Sequence, residues 1–124
     1  MNSHTTGVDN AGLTPEDLAA LRQGLLEQRA FRQEQLREFD RASPARADRV
    51  AHRRAAASQL EVHVELAASA RMVLADVEAA LERLETGQYG GCELCRWPIP
   101  LQRLRIVPQA RYCARCQQVK EVGR

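Results

Sequence analysis

Apolar residues recur at spacings of three and four along most of this chain, which is the period of a helix face rather than of a strand. The pattern begins abruptly at "TPED". Thr14 can cap the first free amides, Pro15 suits the first helical position, and Glu16 and Asp17 complement the positive end of a helix. From there Leu18, Leu21, Leu25, Leu36 and Phe39 form one stripe, diluted in its middle by Gln28, Arg32 and Gln35, and predict a first helix to about Asp40. "RASPARAD" interrupts it: Pro44 disfavours helical geometry at Ser43, while Ser43 and Pro44 together make a cap and first position for a new helix. The second helix is expected from about Pro44 or Asp48 to Glu85. Its heptad is cleaner, with Leu60, Ala67, Leu74 and Leu81 alternating with His63, Ala70, Val77 and Leu84. Gly87, free to turn left-handed, ends it.

Two helices joined by a short turn near residues 41–50 give an antiparallel coiled-coil hairpin over residues 14–86. A second helix of about 38 residues would span about 57 Å, so the hairpin is a rod. Its most apolar end, Leu74 to Leu84, needs a cover, supplied by the cysteine-bearing segment, the C-terminal tail or a second chain. His63 falls on the seam with no other candidate ligand near it in sequence and reads as a packing residue. Residues 1–13 lack periodicity and read as a flexible N-terminal tail, and residues 119–124 as a short C-terminal tail or helix.

Only 4% of the 124 residues are aromatic, too little for a broad globular core, so something else must hold the chain together. No run approaches the roughly 18 apolar residues that cross a bilayer, and the polar start lacks the order of a secretion signal, which points to the cytosol. The net charge of +2 is unevenly spread. Residues 56–86 are acid-rich, whereas residues 87–124 carry seven basic residues against Glu93 and Glu121. That bias suits an acidic or phosphate-bearing partner or a solvated basic surface.

All four cysteines lie in two C-x-x-C pairs, Cys92 with Cys95 and Cys113 with Cys116. A two-residue spacer folded as a tight turn lets both sulfurs face one point, and two such turns complete a tetrahedron around zinc. In a reducing cytosol metal binding is preferred over two disulfides; iron in the same cage is an alternative, and no strand-helix-strand pattern supports a thioredoxin-like pair. Four thiolates leave no open coordination position, so the zinc is structural and replaces the core that so short a segment cannot supply. The fold class is mostly α: a long antiparallel coiled-coil helical hairpin, then a small four-cysteine zinc finger over residues 87–118.

"GQYGGCELCRWPIPLQRLRIVPQARYCARCQQ" resembles the zinc finger of the DksA/TraR family of bacterial transcription regulators, matching its G-x-Y-G-x-C-x-x-C, its I-P-x-x-R-L, its P-x-A-R-x-C-x-x-C and the Gln that follows. The resemblance extends from about residue 14 in its order of hairpin then finger. It implies a coiled coil that enters the secondary channel of RNA polymerase, a finger packed at its base, and altered initiation without direct DNA binding. Several members act with the alarmone ppGpp, which makes it a candidate partner. Arg96 stands where the family usually has Gly after the second cysteine, so it must either adopt left-handed geometry at a cost of about 1 kcal/mol or remodel the knuckle.

The family's hairpin tip often carries D-x-x-D-x-A. In "ARADRV" Asp48 and Arg49 fit the second acid and its neighbour, while Ala45 replaces the first acid and Val50 the final Ala. Asp48 and Arg49 are thus the candidate contacts with the polymerase active centre, although Asp48 equally reads as a helix-start acid. The five arginines between residues 41 and 54 make this region basic. Trp97 reads as a cover against Leu81 or Leu84, or as an exposed partner contact, and the resemblance gives Arg103 the part of knitting the finger together. No catalytic constellation is present, so an enzyme is not expected. The leading reading is a monomeric, zinc-stabilised regulator that binds RNA polymerase. Its rivals are a divergent paralogue with an altered tip and direct nucleic-acid binding by the basic segments.

Overall fold

The computed structural model describes residues 10–41 and 53–122. After a turn at Asn10–Gly12 come helices α1 (Pro15–Arg41) and α2 (Arg53–Thr86), then two short helices, α3 (Leu101–Ile106) and α4 (Ala114–Val122). Among the described residues there is no strand, only a single antiparallel bridge between Gly91 and Pro98.

α1 starts where its capping residues place it. The Thr14 hydroxyl oxygen accepts the Asp17 amide at 3.0 Å, and Pro15 occupies the first helical position, where no amide is needed. α2 ends as its glycine requires. Gly87, at φ 78, lets its own amide reach the Leu84 carbonyl at 3.4 Å and the Gln88 amide reach the Arg83 carbonyl at 2.9 Å, a paired closure of the last turn. The helices run antiparallel, since Arg22 pairs with Glu85 at 3.1 Å while Phe39 meets the His63 ring edge-on at 5.1 Å. With 27 and 34 residues, α1 and α2 span about 40 and 51 Å. His63 packs on the seam as its heptad position predicts. The turn near residues 41–50, with Asp48 and Arg49, lies outside the described residues.

Packing is concentrated at one end. Leu21 and Leu25 of α1 and Val77, Leu81 and Leu84 of α2 are buried against Tyr89, Ile99 and Leu104 of the segment that follows. Each fully buried aliphatic side chain contributes about 1.5–3 kcal/mol, so this cluster carries most of the apolar stabilisation. Toward the far end the seam narrows to Ala67 and Ala70, while Leu60 is 46% exposed and Val62, Val64 and Leu66 also face solvent. The apolar end of α2 is therefore covered within the chain, by α1 and the cysteine-bearing segment.

One tail expectation changes. The flexible segment expected to extend through residue 13 does not do so from Asn10 onward. Asn10, Ala11 and Gly12 all take positive φ, at 58, 60 and 76°, a conformation that costs about 1–2 kcal/mol at each non-glycine residue. Hydrogen bonds offset this: the Asn10 amide donates to the Gly87 carbonyl at 2.8 Å, and the Asn10 side-chain oxygen accepts the Tyr89 amide at 2.7 Å. At the other terminus, where a short tail or helix was expected, the chain beyond residue 118 continues as helix α4 to Val122.

The clip explains Gly90, which sits at φ +94 with an added Cβ only 3.2 Å from both the Ala11 Cβ and the Leu13 Cδ1. Gly24, by contrast, lies inside α1 with nothing within 4 Å of an added Cβ. Gly24→Ala should raise stability by about 0.5–1 kcal/mol through lost backbone freedom in the unfolded chain. Gly90→Ala should lower it by about 1–3 kcal/mol, and chemical denaturation of the two variants measures both signs.

Beneath the same cluster the fully buried Tyr89 donates its hydroxyl proton to the Pro108 carbonyl at 2.7 Å. Burial pushes the phenol up to about 12, with Arg83 opposing weakly. The unfolded phenol loses its proton near 10.0, before the folded one, so this contribution to stability is whole below about pH 10 and falls as pH rises toward 12. Tyr89→Phe should remove that alkaline slope while costing about 1 kcal/mol at neutral pH, as read from urea midpoints across the pH range.

Candidate metal centre

The two cysteine pairs are presented by different local structures. In the first, the Cys92 amide donates to the Trp97 carbonyl at 2.8 Å and the Ile99 amide to the Gly90 carbonyl at 2.7 Å, pinching residues 90–99 into a loop. Inside it the Arg96 amide reaches the Cys92 carbonyl at 3.0 Å, and the Cys95 amide points at the Cys92 Sγ at 3.5 Å. The turn closes only because Arg96 adopts φ 71, so the sequence departure from Gly is accommodated by left-handed backbone rather than by a remodelled knuckle. In the second pair, Cys113 immediately precedes α4 and Cys116 lies in its first turn, with the Gln117 amide bonded to the Cys113 carbonyl at 2.9 Å.

The result is one cluster: the four Sγ atoms all lie within 4.8 Å of one another. All four thiols are free, and the Cys95 and Cys113 sulfurs stand 4.0 Å apart. Sulfurs bound tetrahedrally at about 2.3 Å from zinc are separated by about 3.8 Å, so the donor set fits the ion with little adjustment. The thiols are unequal. Burial opposes ionisation of Cys92, but amide donors from Cys95, Cys113 and Leu94 outweigh it and bring this thiol down to about 6. Burial and the neighbouring thiols push Cys116 up to about 12. Four sulfurs this close cannot all ionise alone, and a divalent cation supplies the missing charge. With every coordination position filled by sulfur, the zinc is structural.

Around this centre the finger is knitted to itself and to the hairpin. Arg103 donates Nε–H to the Tyr112 carbonyl at 3.0 Å, the part its motif position suggested. Arg111 donates Nε–H and Nη2–H to the Asp76 carboxylate at 3.2 and 3.1 Å and lies 3.7 Å from Glu93. Arg83, with only 14% of its side chain exposed, donates to the Ala110 carbonyl at 3.3 Å and also stands 3.7 Å from Glu93. Burial lowers the Arg83 pKa and Glu93 opposes that shift. These pairs fix the finger's angle against α2.

The sequence reading missed the group formed by Asp76, Arg83, Glu93 and Arg111. Its one legible signal was Arg111 within P-x-A-R-x-C; Asp76 and Arg83, seven residues apart on α2, were not distinguishable from solvated charges. Trp97 does not cover Leu81 or Leu84: it is 74% exposed. Asp48 and Arg49 lie outside the described residues.

Residues 87–122 match the family model described as the prokaryotic dksA/traR C4-type zinc finger. The RNA polymerase-binding transcription factor DksA of Haemophilus influenzae is 33% identical over 52 residues, which are 42% of this chain and 36% of that protein. An uncharacterized protein of Aquifex aeolicus is 46% identical over 48 residues, 39% of this chain and 33% of that one. The matched stretches thus span about a third of these curated relatives. Similarity to the transcription factor DksA2 of Pseudomonas aeruginosa covers 94% of this chain and 88% of that one, with a TM-score of 0.77 and 26% identity.

Metal removal should be severe, because structural zinc contributes on the order of 10 kcal/mol to such segments. Elemental analysis should find one zinc per chain, and stripping it with a chelator or changing Cys92 to Ser should lower Tm by more than about 10 °C. The segment of residues 87–122 thus matches a zinc finger of the dksA/traR C4 type, and along nearly the whole chain the fold is similar to that of DksA2.

Proposed function

We propose that this chain regulates transcription by binding bacterial RNA polymerase through its secondary channel, with the finger at the base of the hairpin and the end near residues 43–50 as the probing tip. The observation that carries this reading is the one-sided cover of the hairpin. The finger packs on residues 77–84 of α2 and the first turns of α1, while the seam around Ala67 and Leu60 has no other element among the described residues against it. A rod buttressed at one end suits insertion into a narrow channel. The affinity would come from the helix flanks and the finger, and the effect on initiation from the tip. The similarity to DksA2 over most of the chain supports the same reading.

At the tip, Asp48 and Arg49 are the proposed contacts with the polymerase active centre. Alanine at residue 45 favours a second reading, in which the scaffold occupies the polymerase without DksA-like action. ppGpp is proposed as a co-regulator, and the protein as a cytoplasmic monomer that regulates without catalysing a reaction.

Co-purification with core RNA polymerase of the source organism separates these readings. Wild-type chain should be retained, and a variant with Asp48 and Arg49 both changed to Ala should be retained equally but lose its effect on initiation. Wild type that binds without any effect on initiation supports the altered-tip reading. Wild type that is not retained ends the polymerase proposal.

A further inference from the structure

The finger covers only part of one side of the hairpin. On α2 that side is marked by Asp76, which accepts from Arg111, by Ala80, fully buried in the shared core, and by Arg83, which donates to the Ala110 carbonyl. On α1 it is marked by Ala20 and Gly24, which line a cleft of about 150 Å³ with Leu101, Arg105 and Pro108 of the finger. At 3.6 residues per turn, the same side of α2 continues away from the finger through Val73, Ser69, Leu66 and Val62, in steps of three and four. The same side of α1 continues from Gly24 through Glu27, Phe31 and Glu34. Val73 is half-buried against the core, but Leu66 is 50% exposed, Val62 55%, Phe31 61% and Met72, beside Val73, 70%. Phe31 lies nearly midway between Arg22 and Phe39, whose partners on α2 are Glu85 and His63, so it stands across the seam from Val73 and Leu74.

Apolar side chains scattered singly over a surface are ordinary, whereas Val62, Leu66 and Val73 keep the register of a coiled-coil seam, with only the small Ser69 between them and Met72 and Phe31 alongside. Such a register is completed by another helix. We infer that this side of the hairpin, beyond the finger, is a docking surface for a basic amphipathic helix of a partner protein, with its apolar side chains on the α2 stripe and Phe31 and its cations against the carboxylates that border them. The docked helix extends along α2 the cover that the finger begins. The inference does not rest on the polymerase reading.

Charge decides among occupants. Glu65, one turn from both Val62 and Ser69, borders the stripe on α2 with Glu61 a further turn behind, and Glu27, one turn from Phe31, borders it on α1. None of these three forms an ion pair among the described residues. Glu34 and Glu38, further along α1, are already matched by Arg37 and Arg41. The cation that faces the stripe without an acidic partner is Arg32, over the Phe31 ring at 5.2 Å and bonded to Gln35 at 2.9 Å. Three open carboxylates against one guanidinium favour a cationic partner and disfavour a nucleic acid. A second copy of the chain would double the same excess of carboxylates within one isologous contact. Leu60 and Val64 line a separate cleft of about 510 Å³, but Asp40 and Arg71 both line it too, and it selects no charge.

The zinc-loaded full chain should be titrated with three labelled, capped peptides of about 20 residues, long enough to hold a helix. The first carries Leu at heptad spacing flanked by Lys, the second has Glu in place of Lys, and the third has the composition of the first with its order scrambled. Fluorescence anisotropy should show saturable binding of the first peptide alone. Leu66→Ser should weaken that binding about tenfold, the loss expected for one leucine contact. Glu65→Lys should weaken it as well, and Val64→Ser, on the separate cleft, should leave it unchanged. Val62→Ser serves where Leu66→Ser lowers Tm. No binding of the first peptide, equal binding of the second or third, unchanged binding by the stripe variants, or an equal loss in Val64→Ser overturns the proposal. So does a dimer of the chain alone by sedimentation that Leu66→Ser dissolves, which gives the surface to a second copy.

Discussion

Four sulfurs drawn to within 4.8 Å of one another are the constraint from which the rest of this molecule follows. Neither cysteine pair could hold its loop alone. The first is a turn closed by a non-glycine residue in left-handed geometry, and the second is the start of a nine-residue helix too short to be stable in water by itself. A single divalent ion ties both to one point, and its binding energy exceeds the roughly 1 kcal/mol that Arg96 costs by an order of magnitude. Once closed, the finger presents Tyr89, Ile99 and Leu104 as an apolar underside, a surface the free segment could not maintain.

That underside is what the hairpin lacks. Two helices in contact along one stripe bury little, and here the stripe dwindles to alanines toward the far end. Leu21, Leu25, Val77, Leu81 and Leu84 become a core only when the finger closes over them. Apolar burial has no direction, so polar contacts set the angle of the joint. Asp76 with Arg111, and Arg83 with the Ala110 carbonyl, hold the finger to α2, while Asn10 bridges the end of α2 and the entry to the finger. The exposed pairs among these contribute about 1 kcal/mol or less each, so their effect is on orientation more than on stability.

The consequence is a hairpin whose described part is held unevenly along its length. At the base, zinc, core and clip stack on one another, and Trp97 faces outward beside Arg115. Away from the base, α1 and α2 hold only each other among the described residues, with surface pairs such as Glu34 with Arg37 and Arg41 along the flank.

Much of this was legible in the chain because it rests on local rules. Thr14 and Pro15 start a helix wherever they precede an amphipathic run, Gly87 ends one, and two C-x-x-C pairs identify a closed zinc site whatever surrounds them. Other features exist only through contacts between distant parts of the chain. Asn10 sits in a stretch whose composition favours disorder, and its left-handed turn is offset by a partner 79 residues away. Asp76 and Arg111 are 35 residues apart and individually resemble any solvated charge. Trp97 followed the usual tendency of large aromatics only in expectation; the loop that places Cys92 and Cys95 turns it outward. Sequence determined the helices, their caps and the metal, because these depend on neighbours along the chain. Tertiary structure alone decided the joint and the exposed face, because these depend on which surfaces remain once the zinc has closed the finger.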